Sequence, residues 1–106
     1  LAGEILSNEA GHRSICDAIL TPQPGNLTFP INLHNLAGGI AVSDRAVRQA
    51  MREAANDLKL IVEPGGCVGL AALASGEVDV MGKTVAIVLS GGNVDLDAYS
   101  KLIAAH

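Results

Sequence analysis

A chain of 106 residues suffices for one small domain or for part of a larger one. Hydrophobic residues make up 49% of it, which excludes a disordered chain, yet Phe29 and Tyr99 are the only aromatics, so any core is built from Val, Ile, Leu and Ala. The net charge of −4, with no basic stripe or aromatic platform, excludes a nucleic-acid surface, and no apolar run reaches the ~20 residues that cross a bilayer.

Residues 1–39 carry little regular pattern. Gly3, Gly11, Pro22, Pro24, Gly25, Pro30, Gly38 and Gly39 break them every few residues, with short apolar runs such as 15–20 between. So long an irregular start is unusual in a compact domain of this size, and it reads as a segment that leans on other chain. The first residue is Leu1, and the start shows no signal-peptide pattern. Cys16 and Cys67 fit no metal-ligand spacing and are too few for a disulfide scaffold, so a reducing cytoplasm is the expected compartment. His12, His34 and His106 fit neither a metal site nor a triad, and surface or loop positions are expected for all three.

From Ser43 the pattern is regular. Ser43 or Asp44 can cap a helix, and Val47, Ala50, Met51, Ala54 and Leu58 then form one apolar stripe, predicting a helix over about 44–58. Arg45, Arg48 and Arg52 read as its solvated face. Residues 60–62 are a short apolar run expected as a buried strand, broken by Glu63-Pro64-Gly65-Gly66. Residues 67–74 are small and apolar and predict a packed helix stopped by Ser75-Gly76. After Gly82 and Lys83, residues 84–89 predict a second buried strand, Ser90-Gly91-Gly92-Asn93 a tight turn, and Asp95 or Asp97 the start of a last helix bearing Leu96, Tyr99, Leu102 and Ile103.

That order predicts an α/β fold: parallel strands alternating with helices, preceded by an irregular N-terminal segment. With no internal repeat and no linker, residues 1–106 read as a single partial domain. In such sheets ligands bind beyond the carboxyl ends of the strands, where the loops 63–66 and 90–93 would both emerge. Each is glycine-rich and precedes a helix, but neither is a P-loop or a dinucleotide fingerprint, and a strand–Gly–helix turn alone is usually only a turn.

Two spaced motifs add a resemblance. Val62-Glu63-Pro64-Gly65-Gly66-Cys67-Val68-Gly69-Leu70-Ala71-Ala72, followed by Val88-Leu89-Ser90-Gly91-Gly92-Asn93-Val94-Asp95, resembles the C-terminal signature of the threonine/serine dehydratase and serine racemase family, the fold-type-II enzymes that use pyridoxal phosphate. Ile15-Cys16-Asp17-Ala18-Ile19, Thr28-Phe29-Pro30 and Val42-Ser43-Asp44 resemble further family segments, in one register from about residue 14 onward. The fold this implies is the C-terminal part of the larger, cofactor-supporting domain of such an enzyme.

The resemblance implies that Ser90 sets its hydroxyl against the pyridine nitrogen, a neutral partner that leaves the ring a mild electron sink suited to α-proton loss and β-elimination. Its other reading is a turn serine bonded to its own backbone. Gly91 and Gly92 would let backbone approach the ring, and Asn93 would satisfy turn carbonyls. Glu63 is either near the cofactor or a first-turn helix acceptor. Ala18 and Ile19 would pack near the ring, although Gly is frequent in the family where Ala18 stands. Cys67 stands where Ala or Ser is common and reads as a small core residue.

The family's Schiff-base lysine belongs to an N-terminal Ser-Xaa-Lys segment, and Lys59, Lys83 and Lys101 have no such context. The glycine loop for the cofactor phosphate and the acidic metal site of some members are not matched either. No catalytic residue and no metal ligand is therefore assigned, and the 106 residues alone are expected to be inactive. The expected parent is a lyase that dehydrates threonine, serine or 3-hydroxyaspartate to a 2-oxo acid and ammonia with pyridoxal 5'-phosphate, as a homodimer, this chain joining the remainder of that polypeptide. A serine racemase-type activity shares the α-proton step. A stand-alone, non-catalytic module binding a small ligand or a partner protein is the reading from another class.

Overall fold

The computed structural model describes residues 2–9, 11 and 13–105. His12 and His106 lie outside them, and His34 is exposed. The elements are four α-helices, α1 (Thr28–Asn35), α2 (Asp44–Glu53), α3 (Val68–Ala74) and α4 (Leu96–Ala104). Two 3₁₀ turns, Asp17–Ile19 and Pro64–Cys67, and a π-helical turn, Ala54–Leu58, complete them.

The α/β expectation is overturned: among the described residues there is no strand, and the regular structure is helical throughout. Residues 60–62 and 84–89, expected as parallel strands, form no ladder. The reason lies in what defines a strand. Apolar β-branched sequence favours the conformation, but only a ladder of evenly spaced bonds to a neighbour makes it a sheet. Here the nearest approach to a ladder is a backbone bond from Glu63 N–H to the Gly91 carbonyl at 3.0 Å, and that bond joins the loops that follow the two segments. Expected burial largely fails with the pairing: Leu60, Ile61, Val85 and Val88 are exposed, Val62 alone is buried, and Leu89 packs partly buried against the core.

The N-terminal segment is also less irregular than expected, since α1 forms within it. Pro30 falls in the first turn, where no helical N–H is required of it, and the Gly25 carbonyl accepts from Phe29 N–H at 2.9 Å just ahead. No residue of α1 is buried.

The core is organised on α2. Ser43 caps it, its hydroxyl accepting from Ala46 N–H at 3.2 Å. Val47, Ala50 and Met51 point inward from the predicted stripe, with Ala54 continuing it. Against them pack Ala71 of α3, Tyr99 of α4, Val62, Cys67 and Cys16. Small alanines on α3 let the two helices approach closely, which is why a seven-residue helix with no polar stripe holds here. The Tyr99 hydroxyl donates to the Met51 carbonyl at 3.2 Å, satisfying a buried polar tip.

Two details depart from the predicted helix. The π turn widens the last turn, and Leu58, assigned to the stripe, emerges exposed. Lys59 then ends the helix in the left-handed region at φ 59°. Nor are the arginines all on a solvated face. Arg52 reaches α4 and donates to the carbonyls of Ile103 (2.9 Å) and Ala105 (3.0 Å), and Arg48 Nε is buried. The radius of gyration is 14.9 Å, against about 13 Å for a compact domain of this length. The excess matches the many large apolar side chains left at the surface, among them Leu27, Ile31, Leu36 and Met81.

Candidate cofactor site

Three segments converge at one edge of this core. The first is the loop Glu63-Pro64-Gly65-Gly66. Glu63 is extended (φ −66°, ψ 158°), and Pro64 starts the 3₁₀ turn, its ring fixing φ where helix begins. Gly66 N–H closes the turn on the Glu63 carbonyl at 3.0 Å, and Pro64 through Cys67 are buried.

The second is Ser90-Gly91-Gly92-Asn93. It lies so close to the first that side chains are excluded between them. A Cβ on Gly66 would stand 2.9 Å from the Gly91 carbonyl oxygen and 3.0 Å from Val62 Cγ1. One on Gly91 would stand 2.7 Å from Glu63 Oε1, and one on Gly92 would collide with the Ile61 carbonyl. Val94 N–H bonds the Gly92 carbonyl at 2.9 Å in a three-residue turn, after which Asp95 caps α4, its carboxylate accepting from Asp97 N–H (2.9 Å) and Ala98 N–H (3.0 Å).

The third is the turn Asp17–Ile19. A Cβ built on Gly65 would meet Ile19 Cγ2 at 3.5 Å and Ala18 Cβ at 3.7 Å, ordinary packing distances. Thus Ala18 and Ile19 lie on the first loop, and the first loop lies on the second. The six residues singled out from the sequence fall in one cluster.

Within it the side chains are disposed as follows. Ser90 is exposed, and among the described residues its hydroxyl has no hydrogen-bond partner; the self-bonded turn serine does not form. Glu63 makes no capping bond to the helix it precedes; its carboxylate stands over Gly91 instead. Asn93 is exposed and bonds no turn carbonyl among the described residues. Ala18 and Ile19 are exposed, Ile19 at 52%.

Behind the cluster, Cys67 is fully buried, and desolvation, with Cys16 nearby, pushes its thiol up to about 11. Desolvation likewise raises the Cys16 thiol, against a lowering bond from Ser14, with Asp44 and Asp17 adding to the rise. Both cysteines are free and protonated at neutral pH, so they serve as core and not as nucleophiles.

A hydroxyl without a partner among the described residues is the donor that a neutral pyridine nitrogen requires, and on that ground Ser90 fits pyridoxal phosphate. No group of three or more His, Cys, Asp and Glu among the described residues is placed to hold a metal. Sequence reasoning missed the residues that hold the Asp17–Ile19 turn, Ser14 and Asp44. They stand 30 positions apart, and the capping signal at Ser43-Asp44 pointed only to the helix.

Comparison with known proteins agrees with this chemistry. The family described as pyridoxal-phosphate dependent enzyme matches residues 2–91. The L-threo-3-hydroxyaspartate ammonia-lyase of Pseudomonas sp is 40% identical over 90 residues, covering 85% of this chain and 28% of that protein. The serine racemase of Dictyostelium discoideum is 39% identical over 108 residues, covering 97% of this chain and 32% of that protein. Among solved structures, a threonine deaminase from T.th. superposes with a TM-score of 0.83 at 38% identity, over 89% of this chain and 34% of the other. The chain thus spans about a third of the length of these relatives. The chain belongs to the pyridoxal-phosphate-dependent enzyme family of fold type II, with threonine dehydratases, hydroxyaspartate ammonia-lyases and serine racemase as its homologues.

Proposed function

We propose that this chain supplies one side of the cofactor site of a lyase that dehydrates a small β-hydroxy amino acid (threonine, serine or 3-hydroxyaspartate) to a 2-oxo acid and ammonia. The observation that carries this reading is the exposed hydroxyl of Ser90, without a hydrogen-bond partner among the described residues and followed by glycines that bring loop 90–93 against loop 63–66. Pyridoxal phosphate, when bound, supplies the electron sink that acidifies the α-carbon. Ser90 contributes a neutral hydrogen-bond partner for the ring nitrogen. Glu63 holds a carboxylate at the same edge, and Ala18 and Ile19 pack beside Gly65 as an apolar boundary. Lys59, Lys83 and Lys101 are all exposed and lie outside this cluster, so a base and cofactor anchor must come from other chain, and the 106 residues alone are proposed to be inactive. A homodimer of the complete protein belongs to the same proposal.

Racemisation of serine is the second reading, favoured by the 39% identity to a serine racemase, nearly equal to that for the ammonia-lyase. Both reactions begin with loss of the α-proton, and Ser90 serves either. The test is to supply the complete polypeptide with pyridoxal phosphate and L-threonine, L-serine and L-threo-3-hydroxyaspartate in turn, measuring 2-oxo acid, ammonia and D-serine. Release of 2-oxo acid and ammonia is expected, with Ser90→Ala lowering it about tenfold, in line with loss of one hydrogen bond to the cofactor ring. D-serine alone would select the racemase, and no turnover with no bound cofactor would remove both readings in favour of a non-catalytic module.

A further inference from the structure

The turn that carries Ala18 and Ile19 is held from α2 by a hydrogen-bond relay. The Asp44 carboxylate accepts from the Ser14 hydroxyl at 2.6 Å and from Ile15 N–H at 3.3 Å. Ser14 Oγ accepts in turn from Cys16 N–H at 3.1 Å, and the Cys16 carbonyl accepts from Ile19 N–H at 3.1 Å, closing the turn. A hydroxyl this close to a carboxylate makes the short, charge-assisted kind of bond, about twice as strong as a neutral one.

Asp44 is itself well fixed. It is the first residue of α2, and Val47, Ala50 and Met51 bury that helix in the core. Helix capping is not its task, because the neighbouring Ser43 hydroxyl caps α2 through Ala46 N–H. Cap and clamp are therefore carried by separate, adjacent residues. At the far end of the relay, Ile19 and Ala18 lie at packing distance from Gly65, and Gly66 lies against Gly91. The placement of the turn on the glycine loop is thus tied to the most deeply buried helix of the chain.

From this we infer that Asp44 and Ser14 are positioning residues of the pyridoxal-phosphate site: they hold the Asp17–Ile19 turn against Gly65 and so fix one boundary of the cofactor cluster. The inference rests on the cofactor reading above. It is tested on the complete polypeptide with pyridoxal 5'-phosphate as the probe, comparing Ser14→Ala and Asp44→Asn with Ser43→Ala. Ser14→Ala and Asp44→Asn are expected to weaken cofactor binding about tenfold, the worth of one charge-assisted bond, and to shift the absorption of the bound cofactor. In the cofactor-free protein the same two substitutions should speed amide exchange at Ile15, Cys16, Ile19 and Leu20. Ser43→Ala removes a bond from the same helix end, and cofactor affinity should stay within about twofold. Ser14→Thr restores a hydroxyl and should recover affinity and absorption.

Equal losses of affinity in Ser43→Ala and Ser14→Ala would overturn the inference, since the clamp would then act through stability alone. Unchanged exchange at the turn in Ser14→Ala would overturn it as well. If the unsubstituted polypeptide binds no cofactor while Ser14→Ala still loosens the turn, it is the cofactor reading that has failed, and the clamp has no site to position.

Discussion

Gly65 and Gly66 are adjacent, alike in sequence, and opposite in what surrounds them, so alanine at each makes a controlled pair. At Gly66 a Cβ would stand 2.9 Å from the Gly91 carbonyl oxygen and 3.0 Å from Val62 Cγ1, both closer than carbon normally tolerates. Val62 is buried, and relieving the contact at Gly91 asks its carbonyl to move by roughly half an ångström to restore ordinary packing. That carbonyl is the acceptor for Glu63 N–H at 3.0 Å, the backbone bond that joins the two loops, and such a shift takes it past useful hydrogen-bonding distance. Overpacking costs about 1–3 kcal/mol and the lost bond about 1 kcal/mol, together about 2–4 kcal/mol for Gly66→Ala. At Gly65 the nearest atom is Ile19 Cγ2 at 3.5 Å, an ordinary contact. Its φ is not in the left-handed region, so Gly65→Ala should be neutral or stabilise by about 0.4–1 kcal/mol through the unfolded chain. Urea unfolding of the cofactor-free complete polypeptide reads the difference: with a slope of about 2 kcal/mol per molar, Gly66→Ala should lower the midpoint by about 1–2 M and Gly65→Ala should not lower it. Equal midpoints for the two variants, or a larger loss at Gly65, would refute the requirement for glycine at the Gly66–Gly91 approach.

Other substitutions probe the core behind the site. Tyr99→Phe removes the hydroxyl that reaches the Met51 carbonyl and should cost about 1 kcal/mol in urea unfolding, at the low end because that carbonyl also accepts from Ala54 N–H. Arg52→Met keeps the aliphatic stem but releases the carbonyls of Ile103 and Ala105, so amide exchange should quicken in the last turn of α4 and not in α3, at a cost of about 1 kcal/mol. Alkaline pH should destabilise the fold. The Cys67 thiol is raised by desolvation from 9.0 to about 11, and Cys16 and Tyr99 are shifted upward for the same leading reason. A raised acid binds more protons folded than unfolded at high pH, so its stabilisation is complete below about pH 9 and is lost as pH rises through about 11, at about 1.4 kcal/mol per pH unit. Urea midpoints should therefore fall between about pH 8.5 and about pH 10.5, less steeply in Cys67→Ala; a flat profile would contradict the assigned burial.

The helices were legible in the sequence because their signals are local. Ser43 before a stripe of Val47, Ala50 and Met51, Asp95 before Leu96, and Ser75-Gly76 after the alanines of α3 each specify an end or a face within one or two turns, and each forms as read. The failures are non-local. Residues 84–89 have the composition of a buried strand, but composition does not supply the neighbour that takes up a whole segment's backbone bonds. Val88, at 80% exposed, shows what such a run does without one. α1 was hidden by the opposite error, because Gly25 and Pro30 look like breakers yet occupy the turn before a helix and its first turn, where both are tolerated. The clamp from Asp44 to Ser14 could not be found by spacing, since a pair 30 residues apart leaves no periodic trace.

The candidate site itself was legible through motif alone, and the structure changes what the motif means. Glycine-rich loops of this kind are usually only turns, and the family resemblance implies that Gly91 and Gly92 let backbone approach the cofactor ring. In the structure the space that Gly66, Gly91 and Gly92 leave is occupied by this chain: the Gly91 carbonyl, the Glu63 carboxylate and the Ile61 carbonyl stand where their side chains would be. Their glycine character is therefore accounted for by loop-on-loop packing before any cofactor arrives. That divides the signature into two kinds of residue. The glycines build a rigid junction between two loops, and Ser90, exposed at its lip with no hydrogen-bond partner among the described residues, is the position whose chemistry the junction presents. Substitution at the glycines should accordingly be felt first as lost stability, and substitution at Ser90 as lost cofactor chemistry with the fold intact, a separation that the unfolding and cofactor-binding measurements above read independently.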